Sequence, residues 1–174
     1  MSTRILIILA IIYLNSGSSK QNSMNDELGT WHKFSHLYTR LYGNSFYYMP
    51  NDKMTWFEAS QFCARQDSHL AILNSPDEFK AIEKLITRAD FYHIGFHDLF
   101  SEGNFVTVNC QTIKQAGYDK WLKGEPSGTA AKKKEDCGTI TENGLLNDEH
   151  CFNKRQFVCE HEFRPTAYNN TYFF

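Results

Sequence analysis

Long apolar runs are almost absent from this 174-residue chain, as are broad stretches of positive charge, paired metal-binding cysteines and phosphate-cradling glycine loops. The one apolar run, Ile5 to Leu14, has ten residues, well short of the roughly 20 that cross a bilayer. With Arg4 before it and the small polar residues Asn15 to Ser19 after it, residues 1–19 read as a cleaved secretory signal peptide. No second run follows, so the mature protein is expected to be secreted, extracellular and not inserted in a membrane. The only basic run is Lys132, Lys133 and Lys134, and the formal net charge of −2 falls to −3 once Arg4 is removed. Nucleic acid needs a far broader basic surface, so it is not an expected partner. Neither G-x-S-x-G nor H-E-x-x-H occurs, and the chain is not expected to be an enzyme. His93 and His97 lack a third ligand, which makes them structural histidines rather than a zinc pair.

What the chain does have is enough length for one well-filled domain, and 15% aromatic residues to fill it. Residues 20–41 form a polar lead-in, 42–163 the domain, and 164–174 a tail carrying a glycosylation sequon at Asn169. Within the domain, Phe46 to Met49 suits a strand that Pro50-Asn51-Asp52 ends. Thr55 and Glu58 form a capping box that opens a first helix, with Trp56, Ala59 and Cys63 on one face. Ser75, Pro76 and Glu78 open a second helix as cap, first-turn proline and reciprocal carboxylate; its apolar face is Phe79, Ile82, Leu85 and Ile86. His69 to Leu73 lies between them as a short strand or buried connector. Phe91 to Phe96 and Val158 to Glu160 read as further strands, and the span between them as one long loop. The fold class is therefore α+β.

That span concentrates oxygen donors: Glu125-Pro126-Ser127, then Glu135-Asp136, then Asn147-Asp148. Carboxylate and amide oxygens without histidine or extra thiolates suit a hard cation with many oxygen ligands, Ca²⁺ rather than Zn²⁺. Five cysteines accompany them. In an oxidising compartment Cys63, Cys137, Cys151 and Cys159 can make two bridges, in a pairing that spacing does not choose. Cys110 is then left as a free thiol or as the link of a disulfide-bonded homodimer.

In their order and spacing these motifs resemble a C-type lectin-like domain. The residues carrying the resemblance are Trp56-Phe57-Glu58-Ala59 with Cys63, Leu70-Ala71, Ile94-Gly95-Phe96, Trp121, Glu125-Pro126-Ser127, Asn147-Asp148 and Phe157-Val158-Cys159-Glu160. The likeness implies two helices flanking small antiparallel sheets, with a long calcium-binding loop region. It implies bridges Cys63–Cys159 and Cys137–Cys151, in the shorter form of the family that has no cysteine before Cys63. It also implies a cis peptide before Pro126 and a principal Ca²⁺ held by Glu125, Ser127, Glu135, Asn147 and Asp148. A second, supporting Ca²⁺ would fall to Asp98, Glu102 and Asp136.

In sugar-binding members the principal ion and its ligands share two adjacent sugar hydroxyls, the carboxylates accepting and the amide groups donating hydrogen bonds. Glu before Pro goes with mannose, fucose or N-acetylglucosamine, and Gln before Pro with galactose. Glu125 favours the first group, while Ser127 in place of an amide leaves galactose open. Leu146 stands where the family usually has Trp. The three lysines read as a solvated loop tip or as a docking point for sulfated or sialylated glycans. The expected function is calcium-dependent recognition of cell-surface or microbial glycans; the alternative is a lectin-like module that binds protein without sugar.

Overall fold

The computed structural model describes residues 37–127 and 134–162. Residues 1–19, read above as a signal peptide, lie outside the described residues, as do Lys132, Lys133, Asn169, residues 164–174 and residues 20–36. Residues Thr39–Phe163 make one compact unit. Its elements run β1 (Thr39–Tyr42), β2 (Ser45–Tyr48), α1 (Trp56–Ala64), β3 (His69–Leu70), α2 (Pro76–Ile82) and a 3-10 turn (Glu83–Leu85). There follow β4 (Phe91–His97), β5 (Val106–Thr107), α3 (Ile113–Ala116), β6 (Cys137–Thr141), β7 (Leu146–Glu149), β8 (Gln156–Phe157) and β9 (Cys159–Glu162).

Both helices start as their sequences dictate. Thr55 accepts from the Glu58 amide, and the Glu58 carboxylate accepts from the Thr55 amide at 2.9 Å. Trp56, Ala59 and Cys63 are buried on the inner face of α1, and the Trp56 indole donates to the Ile94 carbonyl at 2.9 Å. Ser75 caps α2 and Pro76 occupies its first turn. Glu78 departs from the expected reciprocal cap. Its carboxylate turns inward, accepting from the Asn74 amide at 2.6 Å and from the Tyr47 hydroxyl. That hydroxyl also lies 3.2 Å from Glu160, whose other oxygen takes the Ile72 amide at 3.0 Å. Two fully buried carboxylates thus share one tyrosine, and three elements meet there.

The first sheet has the order β1-β2-β9-β3 and is antiparallel throughout. The second has the order β5-β4-β6-β7, with β8 added parallel to β4. Between them lies a core of Tyr47, Phe79, Ile82, Tyr92, Ile94, Phe96, Phe105, Ile140, Leu146 and Val158. β4 is buried along nearly its whole length, as the central strand of its sheet. Gly95 is required there: a β-carbon would stand 2.3 Å from the Leu70 carbonyl oxygen.

The stretch read as one long loop carries regular structure at both its ends and within it. β5, α3, β6, β7 and β8 all fall inside it, and only the segments joining them are irregular. The bridges are those the resemblance implied. Cys63–Cys159 ties α1 to β9 across 96 residues, and Cys137–Cys151 closes the β6–β7 hairpin across 14. Cys110 is free and exposed, in a turn at φ 63°.

Candidate functional site

The oxygen donors come together because β7 is paired on both sides. On one side its register is Cys137↔Glu149, Gly138↔Asp148, Thr139↔Asn147 and Ile140↔Leu146 with β6. On the other, the Leu146 amide donates to the Lys120 carbonyl at 2.7 Å and the Leu122 amide to the Leu146 carbonyl at 2.8 Å. Leu146 is buried beside Trp121, so Leu in place of the larger aromatic keeps a packing role. The segment that runs along β7 then turns at a cis Glu125–Pro126 peptide, the isomer the resemblance implied. That turn delivers Glu125 and Ser127 to Asp148.

At the site the Ser127 amide donates to Asp148 Oδ1 at 3.1 Å, and the Ser127 hydroxyl to Glu135 Oε2 at 2.9 Å. The Glu125 carboxyl is shifted upward, first by burial and also by neighbouring Asp148, against the pull of its hydrogen bonding to Ser127. Its Oε2 is buried with no hydrogen-bond partner among the described residues. Asn147 is placed differently from what the resemblance implied. Its two amide N–H groups are taken by Thr139 Oγ1 at 3.0 Å and by the Asp148 carbonyl at 2.7 Å. The donors expected to face a hydroxyl are therefore engaged, leaving Oδ1 as the group it can offer. Thr139 was absent from the sequence-based site; it is visible only once the β6–β7 register is known.

A second cluster lies next to the first. The Asp98 amide donates to the Asp136 carbonyl at 3.1 Å, which ties the end of β4 to the start of β6. Asp98 is 2% exposed; its Oδ2 accepts from the Gly103 amide at 2.8 Å, while Oδ1 is buried without a hydrogen-bond partner among the described residues. Its carboxyl is shifted upward by burial and by the charges of Asp136 and Asp148. Glu102, on the surface, is shifted the same way by partial desolvation and then by Asp98, Asp136 and Asp148. The two clusters thus meet at Asp148.

Buried carboxylate oxygens without donors are costly unless a charge of opposite sign compensates them. Here two of them, Glu125 Oε2 and Asp98 Oδ1, sit among carboxylates that raise one another's pKa. Among the described residues no lysine or arginine bridges to Asp98, Glu102 or Glu125. The donor set is all oxygen, which fits a hard divalent cation such as Ca²⁺ and not a thiolate- or imidazole-preferring one. His93 and His97 take no part. His93 donates through Nε2 to the Asn153 carbonyl at 3.0 Å, and His97 packs edge-on against Trp56 and Phe100. Burial lowers the pKa of both.

Comparison with known proteins gives a consistent picture. The model of the lectin C-type domain matches residues 52–161. The hemolymph lipopolysaccharide-binding protein of Periplaneta americana is 36% identical over 117 residues, covering 62% of this chain. The chain spans only 45% of that relative's length. Among solved structures, the carbohydrate-recognition domain of the mouse scavenger receptor C-type lectin superposes with TM-score 0.66 at 26% identity. It covers 73% of this chain and 96% of its own. The cow CD23 carbohydrate-recognition domain, solved in the presence of a GlcNAc2Man3 oligosaccharide, gives TM-score 0.63 at 26% identity, covering 71% and 92%.

Proposed function

The chain belongs to the lectin C-type domain family, and from that premise we propose that it is a secreted, calcium-dependent carbohydrate-binding protein. The observation that carries the proposal is the unpartnered pair of buried carboxylate oxygens, Glu125 Oε2 and Asp98 Oδ1, in two adjoining acidic clusters. Glu125, Ser127, Glu135, Asn147 and Asp148 would hold the principal Ca²⁺, and Asp98, Glu102 and Asp136 a supporting one. A bound Ca²⁺ supplies positive charge and open coordination positions suited to two neighbouring hydroxyls of a sugar.

The chain's own residues set how well a sugar is held. Glu125 and Asp148 accept hydrogen bonds from sugar hydroxyls, and Cys137–Cys151 fixes the hairpin that carries Asn147 and Asp148. Donation toward the sugar is weak. The Ser127 hydroxyl is spent on Glu135 and the Asn147 amide on Thr139 and Asp148. Each missing hydrogen bond costs about 1 kcal/mol, roughly five-fold in affinity. Single-site binding is thus on the order of millimolar, near −4 kcal/mol, and useful binding comes from several copies engaging one surface. Glu125 before Pro126 favours mannose, fucose or N-acetylglucosamine over galactose. A relative named for lipopolysaccharide binding and a neighbour solved with an oligosaccharide support microbial or cell-surface glycans as the target class.

The test is retention on immobilised mannose and galactose, each with and without Ca²⁺, repeated with Glu125→Gln. The expected result is calcium-dependent retention, stronger on mannose, released by EDTA, and weakened on mannose relative to galactose by the substitution, which puts Gln before Pro126. Passage through both resins by folded protein would overturn the proposal in favour of a protein-binding module, as would retention that survives chelation.

A further inference from the structure

On the first sheet, away from the residues just assigned, a cross-strand row places Tyr47, Glu160 and His69 side by side on β2, β9 and β3. The pairings are Tyr47↔Glu160 and His69↔Glu160. Glu162 follows two residues after Glu160 and so lies on the same face of β9. One ligand atom from each of His69, Glu160 and Glu162 falls within 4.8 Å of the other two. We propose that these three residues form a separate metal site, for a borderline divalent ion of the Zn²⁺ type.

The imidazole decides the ion class. His69 Nδ1 lies 2.9 Å from the Leu70 carbonyl oxygen, which can only accept, so Nδ1 carries the proton. Nε2 is then a bare lone pair, and it is buried without a hydrogen-bond partner among the described residues. A histidine whose far nitrogen is held by a backbone carbonyl while the near one points at carboxylates is the usual arrangement of a metal-ligating imidazole. Glu160 is fully buried; one oxygen accepts from the Ile72 amide and the other lies 3.2 Å from the Tyr47 hydroxyl, which leaves lone pairs free for coordination. Tetrahedral Zn²⁺ ligands stand about 3.4 Å apart at bond lengths near 2.1 Å. The three ligand atoms, within 4.8 Å of one another, would draw together to that spacing around a bound ion. One nitrogen and two carboxylates make three protein ligands, with the fourth position left to water. A hard, oxygen-seeking ion has less use for the imidazole, so the site and the acidic loop clusters select different metals.

The test is calorimetric titration of the metal-stripped protein with Zn²⁺ alone, comparing the native chain with His69→Gln and Glu162→Gln. One zinc should bind the native protein, weakened more than about 100-fold by His69→Gln and at least about 10-fold by Glu162→Gln, since losing a ligand costs more than losing a supporting partner. Glu125→Gln should leave zinc uptake unchanged, separating this site from the loop. Nitrogen-15 spectra of the histidines should show Nε2 of His69 shifting on zinc addition. Native-like zinc affinity in both variants would overturn the proposal. A folded native protein that takes up no stoichiometric zinc, or a His69 signal that zinc does not move, would do the same.

Discussion

Glu78 gives the most demanding prediction, because the protein holds its carboxylate where ionisation is unfavourable. Burial, then the charge of Glu160, pushes its carboxyl from the usual 4.5 up to about 7, against the pull of the Tyr47 and Asn74 hydrogen bonds. Below about pH 4.5 the group is protonated whether the chain is folded or not, and stability is unaffected. Between about 4.5 and 7 the folded state keeps a proton that the unfolded state has lost, so stability falls as pH rises, by about 1.4 kcal/mol per unit. Above about 7 both states are ionised and the whole penalty, roughly 3 kcal/mol, is present. Glu78→Gln removes the titration while keeping an oxygen for the Asn74 amide. Urea unfolding of both proteins, disulfides intact and chelator present, at intervals from pH 4.5 to 8.5 supplies the two stability curves. The native-minus-variant difference should decline by roughly 3 kcal/mol across that range, nearly all of it between about pH 5 and 7. A difference that stays flat would refute the reasoning, whatever the absolute stabilities.

Other consequences are simpler to check. Gly95→Ala forces a β-carbon to 2.3 Å from the Leu70 carbonyl; strand β4 must move, and thermal unfolding should register a loss of at least about 2 kcal/mol. Replacing both Cys137 and Cys151 by Ser frees a loop of 14 residues, which should cost about 3 kcal/mol in urea unfolding and weaken Ca²⁺ uptake by calorimetry. Retention on sugar resin should fall as pH drops. The Glu125 carboxyl is shifted upward by burial and by Asp148, so protons displace the cation at a higher pH than ordinary carboxylates would require. Retention unchanged down to pH 4 would contradict this.

What could be read in the sequence was what is local. The two N-terminal helices announce themselves through Thr55, Glu58, Ser75 and Pro76, whose capping partners lie within three residues. Glu78 was misread by the same logic. Its spacing from Ser75 is that of a reciprocal cap, yet its partners include Tyr47, 31 residues away, and the pairing of β2 with β9 brings Glu160 to the same tyrosine. The second half looked like loop because β6 and β7 bury Thr139, Thr141, Asn147, Asp148 and Glu149, polar side chains that break the alternation expected of a half-buried strand. α3, a single turn of four residues, is too short to show a period. The structure brings the oxygen donors Glu125, Ser127, Glu135 and Asp148 together. The orientation of Asn147 was not legible, since it depends on Thr139 across the hairpin. The bridges followed from the resemblance and not from spacing.

β1 and β9 flank β2 and run in the same direction, each antiparallel to it. Thr39, where β1 begins, sits level with Glu160, and Tyr42, where it ends, sits level with Glu162, where β9 ends. Tension applied at Thr39 and Glu162 therefore pulls along the strands and strains every hydrogen bond between them together, instead of peeling them one by one. A domain of this layout, held at one of these ends and pulled at the other, resists as a shear joint and should hold longer under load than its equilibrium stability alone implies.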